Sequence, residues 1–66
     1  MVVKIERAWK QATGGGVEGW KEIDEGVAAR ELANAHGDEA VARLKDRGKL
    51  ETRFAEYRMV VAEADA

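Results

Sequence analysis

The chain has no cysteine, no proline and no serine, and it has a single histidine, His36. Without cysteine there is no disulfide and no cysteine-based structural metal site. Without serine or cysteine the usual nucleophiles are missing, and the aliphatic hydroxyls are Thr13 and Thr52 alone. Without proline the strongest chain breaker is gone, so the glycines at 14–16, 19, 26, 37 and 48 do the punctuating. No apolar run is long enough to span a bilayer. The first residues, broken by Lys4, Glu6 and Arg7, do not form a secretory signal. A cytoplasmic protein with no membrane contact is the expectation.

Sixty-six residues suffice for one domain, 1–66. A domain of this size buries only about 60% of the surface its unfolded chain exposes. With disulfides and a cysteine metal site excluded, self-association is the remaining common remedy for a small core, and a homo-oligomer is one expectation.

Charge is unevenly placed although the net value is only −2. Residues 1–16 and 40–58 carry an excess of Lys and Arg, while residues 17–39 are strongly acidic. A chain that binds nucleic acid chiefly by neutralising phosphates is usually basic overall, so this dipolar balance ranks nucleic acid behind a protein partner.

Hydrophobic periodicity predicts the elements. Val3, Ile5 and Trp9 alternate with Lys4, Glu6 and Lys10, which reads as a strand over 2–11. The Thr13-Gly14-Gly15-Gly16 run reads as a hairpin turn closing between Ala12 and Val17. That register sets Trp9 opposite Trp20 and Arg7 opposite Glu22. Residues 17–24 also fit helical spacing, but Gly19 and Gly26 each cost a helix roughly 1 kcal/mol relative to Ala, so a strand is favoured. Residues 25–36 read as a helix capped by Asp24 and stopped by Gly37. A second helix over 39–47 is capped by Asp38 and ended by Gly48. In 50–62 Leu50, Phe54, Tyr57 and Val61 have helical spacing, while Ala55, Tyr57, Met59 and Val61 alternate. The β-branched and aromatic content favours a strand, and a third strand completes a sheet that a lone hairpin would lack. The expected fold is a small α+β domain of order ββααβ. The alternative is a hairpin followed by three helices.

Chemistry is sparse. His36 sits at the end of the first predicted helix, where a helix dipole favours a charged imidazole, and no neighbour completes a catalytic dyad. His36, Asp38 and Glu39 match no known metal-binding spacing. The glycine triplet lacks the Lys-Ser/Thr of a phosphate loop. No enzyme, no metal and no cofactor is the expectation. Two binding surfaces follow from the remaining residues. One joins Trp9 and Trp20 to the acids Glu18, Glu22, Asp24 and Glu25, and would dock a protein partner through an aromatic anchor. The other is the basic set Arg43, Lys45, Arg47, Lys49, Arg53 and Arg58, interleaved with Phe54 and Tyr57, which would track a nucleic-acid backbone and stack bases. The first expectation is a non-enzymatic protein-binding module, such as the small intracellular inhibitors or adaptors that phages and other mobile elements direct against a host system. The second is a nucleic-acid-binding module.

Overall fold

The computed structural model describes the backbone of residues 2–62 and the side chains of residues 3–61. Four strands and two helices follow one another as β1 (Val2–Trp9), β2 (Lys21–Ile23), α1 (Glu25–His36), α2 (Ala40–Arg47), β3 (Lys49–Glu51) and β4 (Ala55–Ala62). The strands form one antiparallel sheet in the order β2-β1-β4-β3. The domain is therefore α+β with two helices, and residues 50–62 are extended as their alternation implies. The segment is not a single strand. A turn at 52–54 divides it, and its first residues form β3, a short edge strand that the sequence pattern did not separate. Thr52 makes the division. Its Oγ1 accepts from the backbone N–H of Phe54 (3.2 Å) and of Ala55 (3.1 Å), a hydroxyl-stabilised turn.

β1 and β4 pair over their whole length, from Val2 opposite Ala62 to Trp9 opposite Ala55. Opposed residues share a face. Ile5 with Met59, Arg7 with Tyr57 and Val3 with Val61 point to the side that carries the helices. Lys4 with Val60, Glu6 with Arg58 and Ala8 with Glu56 point to the side that carries none. The core lies between sheet and helices. Ile5, Leu50, Ala55 and Tyr57 supply it from the sheet, and Ala28, Leu32, Ala40 and Leu44 from the helices. Alanines are prominent among those residues, so helix and sheet approach closely but few large side chains are sealed from water. Ala8 is also buried, yet it lies outside this cluster on the other face.

Both helices stop where glycine permits a backbone that other residues resist. Gly37 has φ 78° and Gly48 has φ 82°, and each donates its N–H back into the helix it ends, to Ala33 and Leu44. Asp24 stands at the N-cap of α1, but its side chain makes no capping hydrogen bond. The cap of α2 is Glu39 rather than Asp38.

The hairpin register differs from the sequence expectation. The turn closes at Lys10 opposite Val17, and the strand pairing proper sets Ile5 opposite Ile23, Glu6 opposite Glu22 and Arg7 opposite Lys21. Trp9 is not opposite Trp20, and Arg7 is not opposite Glu22. Between these two pairings the β2 side holds one residue more than the β1 side, the signature of a bulge. The physical reason is burial. The expected register would have set Ile23 beside Glu6 on the solvent side. The observed one brings Ile23 onto the helix-covered side beside Ile5, and a one-residue slip reverses every side chain of a strand.

Leu32 and Leu44 are fully buried, and each is among the largest side chains that are. Leu32→Ala and Leu44→Ala are each expected to cost about 2–5 kcal/mol. That is a large share of the stability a single small core supplies, so urea denaturation should show either variant largely unfolded at concentrations the parent chain withstands.

Candidate functional site

The polar centre of the molecule is a three-residue network between sheet and helix. Arg7 Nη1 donates to Glu31 Oε2 at 2.6 Å, and Tyr57 Oη donates to Glu31 Oε1 at 2.7 Å. Arg7 and Tyr57 are cross-strand partners on the covered face, so one helical carboxylate clamps both central strands to α1. Only 12% of the Arg7 side chain and 24% of the Glu31 side chain reach solvent. Arg7 also stacks over the Trp9 ring, 4.3 Å from its centre. Its Nε is the one buried side-chain polar atom among the described residues without a hydrogen-bond partner. Burial, reinforced by the hydrogen bond to Glu31 and its charge, pushes the Tyr57 phenol well above its ordinary value of 10.0. The network holds the fold in place, and its one hydroxyl is held protonated.

The two tryptophans are separated by the sheet. Trp9 lies on the helix side near its rim and is 44% exposed. Trp20 lies on the bare side, under the Arg58 guanidinium at 4.0 Å from the ring centre. Arg58 is fixed in turn by Glu6, through Nη2 at 2.7 Å and Nε at 2.9 Å. The paired aromatic patch expected from the sequence is therefore not formed. Each indole has an arginine partner on its own face.

Two concavities stand out. The first, about 690 Å³, lies where the sheet runs beyond the helices. Val3, Ile5, Ile23, Met59 and Val61 floor it, and Lys4, Glu22, Asp24, Glu25 and Lys45 form its rim. Val3 is 53% exposed and Val61 57%, although both point to the side that elsewhere makes the core. Lys45 pairs with Glu25 at 2.5 Å across this rim, whereas the side chains of Lys4 and Glu22 pair at 3.3 Å on the bare side of the sheet. These are exposed pairs, each worth about 0–1 kcal/mol. Asp24 has no ion pair among the described residues.

The second concavity, about 430 Å³, follows the β3 edge of the sheet. Trp20, Arg47, Lys49 and Arg58 line it together with His36, Glu51 and Glu56. His36, the last residue of α1, places Nε2 2.9 Å from the Glu51 carbonyl oxygen. The Glu51 carboxylate is held below its ordinary range by its hydrogen bond and ion pair with Lys10, at 2.8 Å.

The residues singled out from the sequence distribute unevenly over this surface. Glu22, Asp24 and Glu25 converge on the rim of the first concavity. Trp20 borders the second, and Trp9 and Glu18 line neither. Glu18 is exposed in the hairpin, its N–H donating to the Trp9 carbonyl at 2.7 Å. Of the basic set, Arg47, Lys49 and Arg58 meet at the second concavity, and Lys45 stands at the first. Arg43 is exposed on α2, and Arg53 lies in the β3–β4 turn, 5.8 Å from the ring centre of the 67%-exposed Phe54. Sequence reasoning missed Val3 and Val61 as surface residues, and Ile23 and Met59 as core residues that also reach the concavity. Their alternation marks a buried face, and nothing in the pattern says where the helices end.

Among the described residues, no group of three or more His, Asp or Glu side chains is arranged to hold a metal ion. No helix in this region is long and apolar enough to cross a membrane. No protein-family model, curated protein or solved structure matches the chain.

The Glu31 clamp has a measurable signature. A tyrosine held protonated in the fold stabilises it below the phenol's unfolded value, and that stability drains away as pH rises further, because the unfolded chain then releases the proton first. Stability should therefore fall as pH climbs above about 10. Glu31→Gln should bring the absorbance titration of Tyr57 down toward the ordinary tyrosine range.

Proposed function

We propose that the chain is a non-enzymatic protein-binding module that docks its partner in the concavity floored by Val3, Ile23, Met59 and Val61. One observation carries this reading. Val3 and Val61, opposite each other across β1 and β4, continue the core face into solvent where no helix covers it. Contiguous exposed apolar surface rimmed by charge is the pattern of an interaction site. Asp24 and Glu25 outnumber Lys45 on the rim, which suits an apolar segment flanked by basic residues. Two of the groups that catalysis could draw on have structural partners. The Thr52 hydroxyl shapes a turn and the His36 imidazole contacts a backbone carbonyl. An inhibitor or adaptor role is consistent with a module that only binds.

The test is capture of a partner from the native host by the parent chain and by Val61→Lys, with circular dichroism as the folding control. Retention by the parent and loss by the folded variant supports the reading. Equal retention by both removes the concavity as the docking site.

A second reading rests on a separate observation, the convergence of Trp20, Arg47, Lys49 and Arg58. A stacked indole beside cations is a platform for single-stranded nucleic acid. It requires binding that weakens steeply with salt and that Arg47→Ala and Lys49→Ala reduce. Gel shifts at low salt that show no binding end it.

A further inference from the structure

We propose that β3 is a self-pairing edge, and that two copies of this chain join through it into a continuous eight-stranded sheet. β3 ends the sheet and pairs with β4 alone. An edge strand presents unpaired N–H and C=O groups that template another strand. Hydrogen-bond phase shows which groups these are. The Gly48 carbonyl accepts from Met59 N–H at 2.8 Å, and Thr52 N–H donates to the Ala55 carbonyl at 2.8 Å. Gly48 and Thr52 thus turn their backbone groups inward to β4, and by the two-residue period so does Leu50. Lys49 and Glu51 turn theirs outward. The position of His36 agrees, since it meets the Glu51 carbonyl from outside the sheet.

The sequence of the strand is Lys-Leu-Glu. Laid antiparallel against itself about Leu50, it sets each Lys49 opposite the Glu51 of the second copy. Those are the residues whose backbone groups face outward, so each opposed couple exchanges both of its backbone hydrogen bonds. The same two couples bring opposite charges together on the bare side of the sheet, where Lys49 has no ion pair among the described residues. Leu50 meets its own copy at the two-fold axis on the helix side, where it already belongs to the core. Backbone phase, side-chain charge and apolar position all select one register, and the contact is isologous as closed two-fold symmetry requires. The small core supplies the driving force, because a second copy extends it across the axis. His36 competes for the Glu51 carbonyl and so acts as the guard of this edge.

The proposal is independent of the concavity at Val3 and Val61, and its test does not involve that site. Sedimentation equilibrium on the full chain, up to about 1 mM, is expected to show dimer. Lys49→Glu alone and Glu51→Lys alone each set like charges opposite one another twice, and should weaken association by about tenfold or more. Mixed in equal amounts, the two variants should regain dimer. In the mixed pair, the new carboxylate of Lys49→Glu faces the new ammonium of Glu51→Lys, and the unaltered Glu51 of the first faces the unaltered Lys49 of the second. That recovery also shows that both variants fold. His36→Ala should strengthen association by removing the competing donor. A parent chain that stays monomeric throughout overturns the proposal. So does a dimer that ignores the single substitutions, or single variants that remain monomeric on mixing.

Discussion

The pairing of β1 with β4 is the constraint on which the rest depends. It joins the first long segment of the chain to the last, along the full length of both strands. β2 hangs on the outer edge of β1 and β3 on the outer edge of β4, each for only three residues. The helices then have one continuous floor to pack on. Such a pairing closes a loop that contains nearly everything else, and its entropic cost is met before its contacts form. The Glu31 carboxylate helps to hold it, since it binds one residue from each central strand. A carboxylate that accepts from a guanidinium and a phenol in a half-buried site forms charge-assisted bonds, stronger than neutral ones.

The sheet is wider than the two helices can cover. The short helices α1 and α2 seal the middle of the floor with leucines and alanines, and the end that carries Val3 and Val61 is left bare. The opposite face has no helical layer at all. It is dressed instead with Arg58 laid on Trp20 and tied to Glu6, and with Lys10 paired to Glu51. A cation on an indole contributes about 0.5–1 kcal/mol at exposed sites. The arrangement covers an aromatic face while keeping a charged surface toward water. The binding capacity proposed for the molecule arises from this shortage of cover at one end and from the unpartnered strand at the other edge.

Much of the fold is legible from residue types. The alternation read over 2–11 and 50–62 contains β1 and β4, the glycine stops at 37 and 48 end the two helices, and the alanine-rich stretch 25–36 is α1, although Asp24 does not cap it through its side chain. The break at Thr52 was less legible, because Phe54, Tyr57 and Val61 keep their spacing straight through the turn. The basic residues were legible as a cluster but not as a surface. Lys45, Arg47 and Lys49 are near neighbours in sequence, yet the end of α2 sends Lys45 to one concavity and the other two toward the second.

The tryptophan hairpin draws the line most clearly. Residue type alone marks a turn at the glycine run, since glycine readily takes the left-handed backbone that other residues resist, and Gly14 and Gly16 do take it, with φ of 75° and 112°. Residue type also marks the antiparallel partner that follows. The register came from packing. Turn chemistry fixes where the chain reverses, whereas the helices decide which face must be apolar. Ile23 moves to the core beside Ile5, a bulge absorbs the difference, and Trp20 is turned to the far side of the sheet from Trp9. Burial of an isoleucine outweighed the cross-strand match of two indoles, because the core is shared by every element and the indole pair would have been shared by one hairpin.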